Sequence, residues 1–283
     1  HDRLSAKGFS YGYVGSVQLL AFNLWMIMAP GFFGLPDDST LPARISFLTV
    51  GLWWFGFSLV TFYYLPANVY KQQPRGKLIT KGFKELKGVW DSLAYLPLIR
   101  QFLLSFFVYS VGVQTVINMA TIFGTKAIGL ETSSLIISIL IIQLVAVLGA
   151  TFFARLSGKL GNVYTLIIMV VIWTLVTASA YFVYNDTGFY VLAFFVGMVM
   201  GGIQSLSRST YSKFLPPTKD HASFFSFYDI TEKMAIVLGT FAFGFIDDIT
   251  GTMRNSILVL TSFFVIGIIL LFRLMKTQKA IAK

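Results

Sequence analysis

FVGMVMGGIQSLSRSTYSKFLPPTKDHASFFSFYDITEKMAIVLG, from Phe195 to Gly239, holds the end of one apolar segment, a basic loop and the start of a second apolar segment. The second segment, Phe224 to Ile246, is 23 residues long. At about 1.5 Å of rise per residue, a helix of that length crosses the roughly 30 Å hydrocarbon core of a bilayer. Yet it carries Asp229, Glu232 and Lys233, which at i, i+3 and i+4 share one helix face. A charge inside such a helix costs about 2.5–3.5 kcal/mol on insertion scales, so it is retained for what it does. The stretch reads as a working part of a membrane transporter.

The whole chain agrees with a lipid setting. Of 283 residues, 56% are hydrophobic and only 12% charged, and the mean hydropathy is +0.74. A soluble domain carries about 25% charged residues. There is no cysteine, which excludes disulfides, thiolate metal sites and thiol catalysis within these residues. Neither H-E-x-x-H, G-x-S-x-G nor a Gly-rich phosphate loop occurs, and His1 and His221 lie outside the apolar segments. No enzyme, metal or cofactor is expected.

Eight apolar segments can be marked: Gly8–Pro30, Ile45–Leu65, Leu98–Phe123, Ser134–Ala154, Tyr164–Tyr184, Phe189–Leu206, Phe224–Ile246 and Ser256–Phe272. The expected fold is an all-α integral membrane protein with eight transmembrane helices. Lys and Arg set the orientation. Eighteen fall on one side, in the loops holding Arg3, Lys7, Lys71–Lys87, Arg100, Arg155, Lys159, Arg208, Lys213, Lys219 and the tail from Arg273 to Lys283. Three, Arg44, Lys126 and Arg254, fall on the other, where Asp37, Asp38, Glu131, Asp186, Asp247 and Asp248 collect. Both ends are therefore expected in the cytoplasm. The net charge of +10 is a topology signal with a possible partner in anionic lipid, and no nucleic acid is expected.

One connection, 67–97, is long, basic and punctuated by Pro74, Gly76, Gly82 and Gly88. Within it Lys81–Lys87 reads either as an amphipathic helix with Phe83, Leu86 and Trp90 in the membrane surface, or as a solvated tether. Phe33–Thr40 (FGLPDDST) and Phe243–Thr250 (FGFIDDIT) share five of eight residues, six segments apart. That echo suggests two parallel six-helix halves. The expected division is 1–66 (last two helices of a first half), 67–97 (cytoplasmic linker), 98–274 (complete second half) and 275–283 (basic tail). The opening His1-Asp2-Arg3-Leu4 reads as the continuation of something longer, with four helices preceding it.

Polar residues inside the segments mark candidate sites. They are Gln18 and Asn23 in the first segment, Gln114 and Asn118 in the third, and Gln143 in the fourth. Gln204 and Arg208 follow in the sixth, and Asp229, Glu232 and Lys233 in the seventh. The second, fifth and eighth segments contain no amide or charge, as expected if they face lipid. Gln114 and Asn118, four apart, either line a solute path or hydrogen-bond across helices; Gln18, Asn23 and Gln143 carry the same two readings, bonding between helices being the commoner, and Gln204 is a further cavity candidate. Asp229, Glu232, Lys233, Arg208 and Arg155 are gate candidates. The plain reading is an Asp229–Lys233 ion pair, with Arg155 offered to Asp229 or Glu232. Gly197 and Gly201, in G-x-x-x-G spacing, predict a close helix contact.

Gly149 to Lys159, with Arg155, Gly158 and Lys159 in order, is similar to the short basic motif G-x-x-x-[DR]-x-x-G-[RK] of the major facilitator superfamily, though its acidic position is not clearly filled. Gly201–Ser209 (GGIQSLSRS), Leu215-Pro216-Pro217, Phe224–Asp229 (FFSFYD) with Lys233, and Leu4–Gly15 (LSAKGFSYGYVG) resemble the vacuolar effluxer-like branch of that superfamily, the autophagy-related amino-acid exporters and their bacterial relatives. The resemblance runs the length of the chain, as helices five to twelve. It implies secondary active transport of a small polar solute by alternating access, with amino-acid release for the fungal members and proton or ion coupling as a partner. It also implies that the third and sixth segments line the cavity. The competing reading is a scaffold or receptor that keeps the fold without turnover. A monomeric multi-pass protein of a bacterial inner membrane is expected.

Overall fold

A computed structural model describes residues 1–36, 40–65, 78–218 and 220–281. The loop aspartates Asp37 and Asp38, the linker residues Lys71, Arg75 and Lys77, Lys219 and Lys283 lie outside the described residues. Among the described residues there are nine α-helices and no strand: α1 Asp2–Met28, α2 Leu41–Tyr64, α3 Leu78–Ser92, α4 Pro97–Phe123, α5 Thr132–Leu160, α6 Asn162–Ala180, α7 Asp186–Phe214, α8 His221–Thr250 and α9 Met253–Ile281. Six of them, α2, α4, α5, α6, α7 and α9, are long and apolar enough to cross a membrane. α1 and α8 have the length, 27 and 30 residues, but are not among the six, α8 because Asp229, Glu232 and Lys233 sit in its apolar stretch.

The chain forms two compact units, 14–81 and 1–13 with 82–283. In the smaller, the end of α1 turns through a 3-10 segment, Pro30–Phe33, and leaves it at Gly34 with φ 68°, a left-handed conformation that glycine adopts without strain. Thr49 on α2 donates to the Asn23 amide oxygen at 2.8 Å. α2 is rich in exposed aromatic residues, among them Trp54, Phe62, Tyr63 and Tyr64. The two echoed octapeptides differ in conformation. Phe33 and Gly34 form a 3-10 end and a left-handed turn, whereas Phe243–Thr250 stays α-helical until Gly251 caps it at φ 67°. Shared residues there do not make shared local structure.

In the larger unit, α7 is the spine. Its Gly197 and Gly201 face α5: a Cβ at Gly197 would lie 2.6 Å from the Ile142 carbonyl oxygen, and one at Gly201 would lie 2.0 Å from that of Ala146. Gly149 of α5 returns the contact, 2.0 Å from the Met198 carbonyl oxygen by the same construction. The expected close helix contact is therefore a two-sided glycine seam. Such seams let backbones approach where lipid supplies no hydrophobic drive for helix pairing. α4 packs on α8 and α9, where the Phe264 ring sits over Gly112.

One expectation needs correction. α6, the fifth apolar segment, exposes Val171 and Leu175 but also buries Leu166, Met169, Val170 and Trp173, the last stacked on Phe264 at 5.7 Å. An absence of polar residues marks a dry core contact as readily as a lipid face, because dispersion and burial ask the same of a side chain in both places.

Candidate functional site

Three helices turn polar stripes toward one cavity of about 250 Å³. From α4 come Phe106, Tyr109, Ser110, Val113 and Gln114, an i, i+3, i+4, i+7, i+8 set that falls on one helix face. From α7 come Ile203, Gln204, Ser207 and Arg208, and from α8 Tyr228 and Glu232, four apart. Phe9 of α1 completes the wall.

Hydrogen bonds tie the stripes together. The Gln114 side-chain amide donates to the Glu232 carboxylate, joining α4 to α8. Tyr109 and Ser207 share a hydroxyl–hydroxyl bond of 2.7 Å, joining α4 to α7. Tyr13 of α1 donates to the Gln204 amide oxygen at 2.5 Å. Arg208 meets Asp229 at 3.5 Å and lies over the Phe225 ring, 5.1 Å from its centroid. The wall thus presents one guanidinium, one carboxylate, two amides and several hydroxyls in a bundle that is otherwise apolar. Such a set offers donors and acceptors of both signs.

Of the residues expected at a site, Gln114, Gln204, Arg208 and Glu232 come together on this wall. Asn118 is exposed, outside the wall, and its amide donates back to the Gln114 carbonyl oxygen at 2.7 Å. Gln143 is half-buried on α5, and Gln18 is exposed in the smaller unit; neither lines the cavity. Asp229 pairs with Arg208 across helices, and among the described residues no ion pair joins it to Lys233, which is exposed. Arg155 is exposed near the end of α5, and among the described residues no ion pair joins it to Asp229 or Glu232. The Arg208 fork is held over Phe225, which places a cation against Asp229 from outside its own helix.

Sequence reasoning passed over the tyrosines. Tyr109 and Tyr228 are buried, with 4.2 Å between the Phe106 and Tyr228 ring centroids. No sequence signal set them apart: Tyr228 lies four residues past Phe224, near the segment end where anchoring aromatics gather, and Tyr109 is a single tyrosine within a long apolar segment. It also passed over Asp2. That carboxylate receives Lys213 Nζ at 2.6 Å, Ser209 Oγ at 2.6 Å, Asn162 Nδ2 at 2.9 Å and Ser157 Oγ at 3.2 Å. Burial would raise its pKa, but hydrogen bonds from Lys213, Ser209 and Asn162, with the Lys213 charge, hold it down at about 2. Asp2 lies ahead of the apolar part of α1, so this knot clasps the start of α1 to α5, α6 and α7.

A second cavity, about 70 Å³, lies farther along the same helices. It is lined by Val116, Met119 and Phe123 of α4, Phe189 and Val196 of α7, Phe243 of α8 and Leu260 of α9, among others. Its surface is almost wholly apolar.

A protein-family model described as vacuole effluxer Atg22 like matches residues 1–283. The chain is 31% identical over 270 residues to an uncharacterized MFS-type transporter, YxiO, of Bacillus subtilis, covering 95% of this chain and 62% of that protein. It is 26% identical over 294 residues to autophagy-related protein 22 of Eremothecium gossypii, covering 98% of this chain and 56% of that one. Against the Kluyveromyces lactis autophagy-related protein 22 it is 25% identical, with 94% and 56% covered. The chain spans about three-fifths of the length of these relatives.

Proposed function

The chain belongs to the vacuole effluxer Atg22-like family, and from that premise we propose that it is the working part of a secondary active transporter for a small polar solute. The observation that carries this is the polar cavity between α4, α7 and α8. A cavity holding Arg208, Glu232, Gln114 and Gln204 inside an apolar bundle is costly unless a solute uses it. The opposed guanidinium and carboxylate suit a zwitterion, which supports efflux of an amino acid as the finer reading. Glu232, bonded by Gln114, is the carboxylate placed to carry a coupling proton.

In this reading α1 and α8 also cross the membrane, making eight crossings: the last two helices of one half (1–66), a linker (67–97), a complete second half (98–274) and a tail (275–283). α8 tolerates Glu232 because it faces the cavity, Asp229 because Arg208 pairs with it, and Lys233 because its long stem can carry the ammonium toward the headgroups. Both termini of these residues lie in the cytoplasm, on the side rich in Lys and Arg, and the membrane is a bacterial inner membrane. The protein works as a monomer. Alternating access moves the halves against each other around the cavity. The Asp2 knot, which joins α1 of the first half to α5, α6 and α7 of the second, then acts as a latch that forms on one side and releases when the other closes, while the Arg208–Asp229 pair holds α7 to α8 within the second half.

Substrate counterflow in proteoliposomes containing the full-length protein tests this. Accumulation of labelled amino acid against an unlabelled internal pool is expected, and Gln114→Ala should reduce it with expression unchanged. Binding without counterflow would favour a scaffold that keeps the fold.

A further inference from the structure

The amphipathic helix α3 is not used by the transport reading, yet its surroundings are specific. Its apolar arc is divided in two. One edge, Val89 and Leu93, is buried in the main core of the larger unit and fixes how the helix is rotated. Ser223, at the start of α8, donates to Glu85 at 3.3 Å and pins the same side. The other edge carries Phe83 and Trp90, seven apart and so nearly in line on the helix. They are 72% and 65% exposed, and the only ring near Trp90 among the described residues is Phe227, 6.2 Å away. Tyr95, in the turn that follows, is 87% exposed.

From this we infer that the Phe83–Trp90 edge of α3 is a docking surface for the headgroup layer of an anionic bilayer. Three observations select that occupant over another protein. The helix is joined through the short turn Leu93–Tyr95 to Pro97, the first residue of a helix apolar enough to span the membrane, which sets α3 at the level of the headgroups. Beside the aromatic edge, Lys84 and Lys87 outnumber Asp91 on the polar arc, while Lys81 and Glu85 offset each other in charge and Glu85 also accepts from Ser223. Long lysine stems with indole and phenyl rings are the composition of a helix lying in the interface, the rings at the acyl boundary and the ammonium groups among phosphates. A lysine near an anionic surface adds attraction that salt screens. The inference does not depend on which solute the cavity takes, or on whether it takes one.

The chain has no cysteine of its own, so single positions can be labelled. The full-length protein carrying Phe83→Cys, or Gly88→Cys on the opposite arc, is tagged with a polarity-sensitive fluorophore. It is then placed in nanodiscs of phosphatidylcholine alone or with about a third phosphatidylglycerol. At position 83, emission should shift to the blue and be quenched by lipid spin-labelled near the headgroup, at least about twofold more than at position 88. Anionic lipid should strengthen the quenching, and high salt or the variant K81Q/K84Q/K87Q should abolish that gain. A fluorophore at 83 that reports water, or one shielded but deaf to the spin-labelled lipid, overturns the inference; the second result would mean a protein covers the edge. Quenching equal in both lipid mixtures overturns the anionic preference. Phe83 is exposed, so the substitution leaves the packed core untouched.

Discussion

The two cavities share α4, α7 and α8 and differ in almost every other respect. On α4 the polar one takes Phe106 to Gln114 and the dry one Val116 to Phe123; on α7 they take Ile203 to Arg208 and Phe189 to Val196; on α8, Tyr228 with Glu232 and Phe243. The step from the polar wall to the apolar one takes two residues on α4, from Gln114 to Val116, seven on α7, from Ile203 to Val196, and eleven on α8, from Glu232 to Phe243. In the polar cavity the side chains are held by bonds between helices, Gln114 to Glu232 and Tyr109 to Ser207. In the dry one only packing holds them. A transporter needs both: a site with fixed donors and acceptors, and an apolar region whose contacts lack directional bonds and so are free to re-form.

Four outcomes would break or sharpen that contrast. The largest effect is expected at the seam that keeps both cavities in register. Gly201→Val puts a side chain where even a Cβ would be 2.0 Å from the Ala146 carbonyl oxygen, and should cost about 4 kcal/mol or more, seen as lost monodisperse protein in detergent. Folded, active Gly201→Val would show that α5 and α7 can part without harm. Next, Phe243→Ala should destabilise by about 3 kcal/mol through the void it leaves, while solute affinity stays near wild type. A lost affinity with unchanged melting would merge the two cavities into one functional site.

Glu232→Gln preserves shape and removes a charge. Flux should fall at least about tenfold, equivalent to about 1.4 kcal/mol, with melting unaltered. Wild-type flux would take Glu232 out of the mechanism. The smallest effect belongs to the Asp2 knot and is read as a pH dependence. A carboxylate whose pKa is lowered on folding stabilises the fold above its ordinary value of 3.8, and that contribution fades as pH falls toward about 2. Thermal melting of the wild type should therefore drop across that window, and Asp2→Asn should flatten the drop while starting lower at neutral pH. Parallel curves for the two proteins would show that the knot does not form.

How much of the site was legible follows residue by residue. Gln114, Gln204, Arg208 and Glu232 stood out because an amide or charge in an apolar helix is rare, and they do meet. Asn118 carried the same signal and is turned away, because one further turn of helix leaves it beyond the wall and its amide bonds to its own backbone. Asp229 was legible as important, but its partner was sought four residues along its own helix and lies on α7. Tyr109, Ser207 and Tyr228 gave no clear sign, since serine and tyrosine are common in membrane helices for other reasons. α3 was legible as amphipathic, but not that half of its apolar arc, Val89 and Leu93, belongs to the core.

From the residues alone came the all-helical class, the membrane as solvent, the positions of the long apolar helices and the short list of polar groups among which the site would be found. These depend on hydropathy, length and period, which are properties of one segment at a time. Tertiary structure alone decided which of those groups face each other, that α6 is half core, that Asp2 clasps three helices and that one cavity has a polar lining and the other an apolar one. The reason is rotation: a helix shows its stripe in the sequence, but the direction that stripe faces is set by neighbours, here by a glycine seam that lets α5 and α7 touch at only one angle and depth.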